Sequence, residues 1–98
     1  MPFLVLLRDK PNSAHIRTAV RPEHLKYLDA NKAKIMAGGA LLKDDGTVGE
    51  GGAIILDVDD RAAAESFINN DPFTKAGLFG EITISRWRKA YFNGQNCL

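Results

Sequence analysis

Cysteine is almost missing from these 98 residues, with Cys97 the single example. No internal disulfide can form, and no Cys/His pair has the spacing of a zinc site, so a reducing compartment, the cytoplasm, is the expected setting. Long apolar runs are also missing. Phe3-Leu4-Val5-Leu6-Leu7 is followed at once by Arg8-Asp9-Lys10, which leaves a run too short for a membrane span or a signal-peptide core. Charge of one sign never accumulates. Thirteen Lys and Arg stand against 12 Asp and Glu, for a net charge of +1, and the cations are scattered between acids. That argues against nucleic acid or an anionic membrane as the main partner. The chain has no phosphate-binding glycine pattern, metal-ligand set, cofactor motif, internal repeat, linker or low-complexity stretch, so a cofactor-free single domain over residues 1–98 is expected.

What is present reads as alternating strands and helices. Phe3 to Leu7 is apolar at consecutive positions, which predicts a strand covered on both faces. Asn12 or Ser13 can cap a helix through Ser13 to Val20. Pro22 has no N–H to give to the carbonyl of Thr18, so a kink or a fresh helix start is expected there, with an amphipathic helix continuing to about Ala33. Ile35 to Leu42 reads as a second strand with small residues at its centre. Asp45-Gly46 signals a turn, Gly49 to Gly52 lengthens the connection, and Ala53 to Leu56 forms a third strand. Asp59 or Asp60 caps a helix over Arg61 to Asn69, with Ala64, Phe67 and Ile68 on its inner face. Asp71-Pro72 ends that helix and caps one short turn to Ala76, closed by Gly77. Gly80 to Trp87 is the last strand, and the tail from Tyr91 is expected to be loosely held.

The order β-α-β-β-α-β is that of a ferredoxin-like α+β sandwich. Two helices cover one face of a four-stranded sheet, yet the first and third strands are apolar on both sides. A second copy of the chain is the simplest cover for the open face, so a homodimer packed sheet to sheet is expected.

Chemistry could sit at His24, at the edge of the apolar stripe that includes Leu25 and Leu28. Such a position is that of a partly buried base facing a cleft, or of a helix-edge histidine bonded to a carbonyl. Asp71 is explained as an N-cap and is equally suited to hold one imidazole nitrogen; a carboxylate has enough acceptor capacity for both. Arg17 and Arg21, one or two turns before His24, are either solvated arginines or a positive wall for a carboxylate or enolate. Gly38 and Gly39 leave room for a ligand or mark a bulge. His15 has no partner at metal spacing and reads as a surface residue. Pro2 would be an N-terminal secondary amine if Met1 were removed, as in proline tautomerases, but proline is also at home as the first residue of a strand.

Several pieces together resemble the YciI-like (YCII-related) family: Phe3 to Leu7, Val20-Arg21-Pro22-Glu23-His24-Leu25, Ala37-Gly38-Gly39, Ala63-Ala64-Glu65-Ser66-Phe67, Asn70-Asp71-Pro72-Phe73, Ala76-Gly77-Leu78-Phe79 and Ile82 to Trp87. The likeness runs from about residue 3 to residue 90. It implies a dimeric ferredoxin-like α+β fold of the muconolactone isomerase type of barrel, with a His-Asp acid–base pair that maps to His24 and Asp71. It also implies lyase or dehydrochlorinase chemistry on hydroxylated rings. On that reading the protein is a small enzyme whose apolar pocket is completed by Phe73, Phe79 or Trp87, from either subunit. The competing reading is a non-catalytic module that uses the same cleft to bind a small molecule or a partner protein.

Overall fold

In the computed structural model, residues 2–98 are described and Met1 lies outside them. Strand β1 spans Pro2–Asp9, helix α1 Ala14–Ala30, and a 3-10 turn Lys32–Lys34 leads into β2, Ile35–Leu42. Strand β3 (Val48–Asp57), helix α2 (Arg61–Asn69), the short helix α3 (Pro72–Lys75) and strand β4 (Phe79–Arg86) follow, and a hairpin of β5 (Tyr91–Phe92) and β6 (Gln95–Asn96) ends the chain. The main sheet has the order β2-β3-β1-β4, with every neighbouring pair antiparallel. This is the ferredoxin-like α+β arrangement.

Strand alternation sorts the sheet into two faces. Phe3, Val5 and Leu7 of β1 are buried toward the helices together with Ile54 and Leu56 of β3. Ala64, Phe67 and Ile68, spaced three and four residues apart on α2, close over them. Asp60 caps that helix by accepting from the Ala63 N–H at 2.8 Å. The opposite face carries Leu4, Leu6, Ala53 and Ile55, and Leu6 is 41% exposed.

Four expectations need correction. Pro22 neither breaks α1 nor starts a new helix, because Ala14–Ala30 is one helix with Pro22 inside it. Contacts on both sides of the proline hold the halves in line: Arg17 before it and His24 after it both pack on Phe73. The helix also ends before Ala33, and its last carbonyls are met by the backbone N–H of Asn31. Strand β3 begins at Val48 rather than Ala53. Its glycines pair with neighbours on both sides, Gly52 with Leu7 and with Ala40. Gly51 has to be glycine, since a Cβ there would stand 2.2 Å from the Leu7 carbonyl oxygen. The tail is not loose either. Asn93 and Gly94 both take positive φ, 52° and 75°, the two-residue turn that suits a hairpin.

Candidate active site

Helix α1 places Arg17, Arg21, His24 and Leu28 at three- and four-residue intervals, hence along one side, and Lys32 follows in the 3-10 turn. That side faces the inner surface of β1, β3 and β2 across a cleft of about 520 Å³, floored by Leu7, Ile54, Gly38, Ala40 and Gly52 and ended by Phe73 and Phe79. The glycines leave the floor bare. A Cβ on Gly38 would meet nothing closer than 3.6 Å, whereas Gly39, paired with Ala53, belongs to the opposite face.

The structure brings His24 and Asp71, 47 positions apart in the chain, into direct contact. The imidazole Nδ1 lies 2.8 Å from Asp71 Oδ1 and 3.0 Å from Oδ2. Asp71 is fully buried, whereas the His24 side chain keeps 14% exposure. Asp71 Oδ1 also accepts the Phe73 N–H at 2.9 Å, so the N-cap of α3 and the partner of the imidazole are one carboxylate. Among the described residues Nε2 of His24 has no hydrogen-bond partner, which leaves it as the nitrogen available to a ligand in the cleft. The imidazole stacks on Phe73 with centroids 4.0 Å apart and planes at 17°. Phe79 meets Phe73 edge-on at 6.1 Å and 87°.

The two arginines differ. Arg17 donates through Nε and Nη2 to the carboxylate of Asp9 at 2.7 and 2.8 Å, and its guanidinium carbon sits 5.0 Å from the Phe73 centroid. Both line the cleft, but Arg21, among the described residues, has no carboxylate partner. Lys32 reaches Asp29 at 3.7 Å, an exposed pair.

Trp87 does not belong to this cleft within its own protomer. Phe79 pairs with Asp9 at one end of β4, whereas Trp87 follows Arg86 at the other and donates its N–H to the Pro2 carbonyl at 3.0 Å. Eight residues of extended chain separate the two aromatics by about 26 Å. Pro2 shares that remote end, pairing with Asp57 as the opening residue of a strand; Met1, on whose removal tautomerase chemistry would depend, is outside the described residues. His15 is exposed.

Sequence reasoning missed Asp9 and Tyr27. Asp9 stands among Arg8 and Lys10 like any strand-ending charge, and nothing local marks it as the partner of Arg17. Tyr27 donates its hydroxyl to the Phe67 carbonyl at 2.6 Å. Burial raises its pKa above the ordinary 10.0, and the nearby negative charge of Asp71 adds to the effect.

Fold and site together define a class: a small α+β protein with a carboxylate-held histidine on the wall of an apolar cleft. The sequence profile of the YCII-related domain matches residues 1–88, and the chain belongs to that family. It is similar to Protein YciI of Escherichia coli, 24% identical over 93% of this chain and all of that one. It is also similar to the 5-chloro-2-hydroxyhydroquinone dehydrochlorinase of Burkholderia phenoliruptrix, whose structure was solved in complex with 2,5-dihydroxybenzoquinone. That protein is 39% identical over 90% of this chain and 94% of its own, with a TM-score of 0.82. A Bacteroides thetaiotaomicron protein of the antibiotic biosynthesis monooxygenase type shares the fold at 15% identity, 90% and 87% coverage and a TM-score of 0.54. At least one protein to which this chain is similar is thus a small-molecule enzyme.

Proposed function

We propose that this protein is a cofactor-free enzyme in which His24 and Asp71 move protons on a small, hydroxylated, planar ring. The observation that carries the reading is the 2.8 Å contact between Nδ1 and a fully buried carboxylate. Asp71 fixes the tautomer with the proton on Nδ1 and stabilises the imidazolium, so that Nε2 serves as the base. The 39% identity to a dehydrochlorinase of a hydroxylated ring supports the substrate class.

In the lyase form of the reaction, Nε2 takes the proton of a ring hydroxyl, and the O–H electron pair becomes a carbonyl bond. The displaced ring pair takes a proton from Nε2–H at the carbon that bears the leaving group. Loss of a second hydroxyl proton to Nε2 then expels chloride with the C–Cl electron pair. The sum is loss of HCl, with no oxidant or reductant. Arg21 supplies positive charge for the developing oxyanion. The isomerase form stops after the first proton transfer.

His24→Ala and Asp71→Asn should each lower turnover of 5-chloro-2-hydroxyhydroquinone by about 10²- to 10⁴-fold, followed spectrophotometrically or by chloride release, with circular dichroism unchanged. Wild-type-like turnover in either variant removes the pair from the mechanism. A compound that raises the melting temperature yet is recovered unchanged would favour the binding-module reading. The active species is proposed to be a homodimer joined through the face of Leu4, Leu6, Ala53 and Ile55, in the cytoplasm, where the exposed thiol of Cys97 stays reduced.

A further inference from the structure

Both Asp71 oxygens meet the imidazole at one atom, Nδ1, which leaves the ring plane free to turn. An imidazole whose lone pair must meet a proton along a set direction needs its plane held as well. Arg17 and His24 are seven residues apart on one helix, or two turns and about 10.5 Å along the axis. The Phe73 ring occupies that interval, 4.0 Å from the imidazole and nearly parallel to it, and 5.0 Å from the guanidinium carbon. Phe73 lies on α3, a helix of four residues, and takes its orientation from these neighbours and from the edge of Phe79.

The far side of the stack is itself fixed. Both oxygens of Asp9 receive the Arg17 fork at 2.7 and 2.8 Å, and the two side chains are only 5% and 16% exposed. Fork-on-carboxylate pairing sets the guanidinium plane, which lysine cannot do. The same pairing neutralises the Arg17 charge and engages two of its five N–H donors, whereas Arg21, on the same cleft wall, has no carboxylate partner among the described residues.

We propose that Asp9 and Arg17 are positioning residues, which through Phe73 fix the plane of His24 and aim Nε2 into the cleft. Arg17 is therefore not a substrate ligand, and Arg21 is the arginine that meets the substrate oxyanion. The consequence for turnover rests on the acid–base reading of His24; the clamp itself does not.

Two measurements separate these. In the free protein, His24 ring protons stacked on Phe73 resonate upfield, and NMR of Arg17→Met and Asp9→Asn should show that displacement largely lost. Arg17→Lys restores the charge facing Asp9 but not the flat fork, so it should recover melting temperature without recovering the His24 resonance positions. With 5-chloro-2-hydroxyhydroquinone, kcat should fall by about ten- to a hundredfold in all three variants while KM holds. Arg17→Met leaves a buried carboxylate unpaired, and if it fails to fold, Asp9→Asn decides. Resonances unchanged in Asp9→Asn, or wild-type resonances in Arg17→Lys, overturn the clamp. A raised KM with kcat intact in Arg17→Lys makes Arg17 a substrate ligand and overturns it too. If the wild-type protein leaves this compound unchanged, the catalytic reading fails on its own, and the NMR result still decides the clamp.

Discussion

Tyr27 is the residue whose surroundings make the clearest statement about pH. Its folded pKa is raised above the unfolded value of 10.0, first by burial and then by the charge of Asp71. The stability it contributes is therefore fully present below pH 10 and is lost as the pH climbs through the folded pKa. Tyr27→Phe should be less stable than wild type at pH 7 by about 1 kcal/mol, the worth of the bond to the Phe67 carbonyl. The gap should close above pH 10, because only the wild type then loses stability. Urea unfolding at pH 7 and pH 11 checks both arms, and a gap that widens with pH would contradict the assignment. At this scale the sequence was informative about His24 and Asp71 as residue types, each standing in a short motif. It was silent on Asp9, because long-range pairing of an arginine with one of several strand-end charges leaves no local trace.

Elements were readable wherever local chemistry and tertiary contacts agree. The capped Arg61–Asn69 helix and the Asp71-Pro72 turn follow directly from their caps. They were misread where a local rule was overruled. Proline inside a helix costs about 3 kcal/mol, yet α1 runs through Pro22 because Arg17 and His24 anchor both halves to Phe73. Pro22→Ala should accordingly stabilise the protein. It restores the bond to the Thr18 carbonyl and gives back some unfolded-state entropy, for a net gain of about 2 kcal/mol. Denaturant midpoints measure it, and a loss of stability would mean that the proline ring makes a contact worth more than the bond. Sequence alone assigns the glycine-rich start of β3 to a connection because glycine disfavours strands, but at Gly51 the β1 backbone comes too close for any side chain.

For the whole molecule, the open sheet face is the feature that should govern behaviour. Leu6 sits at 41% exposure on a face that also carries Leu4, Ala53 and Ile55. Leu6→Lys should convert a dimer to a monomer in light scattering while circular dichroism stays unchanged. A monomeric wild type, or a variant that stays dimeric, would reject that face as the interface. The unbroken apolar runs of β1 and β3, with no polar residue at alternate positions, make this surface legible in the sequence. The hairpin of Tyr91–Phe92 and Gln95–Asn96 was equally signalled by Asn93-Gly94 and was passed over for lying in the tail.

The bare floor of the cleft has a consequence for descent. The His24–Asp71 pair lies on α1 and at the start of α3, whereas the room above the floor is set by β2 and β3. Gly51 is frozen by the Leu7 carbonyl, but Gly38 can accept a side chain at ordinary contact distance. A lineage can therefore narrow the cleft by a single codon change at Gly38, without touching His24 or Asp71. The shape of the cleft can thus change while the pair on its wall stays as it is.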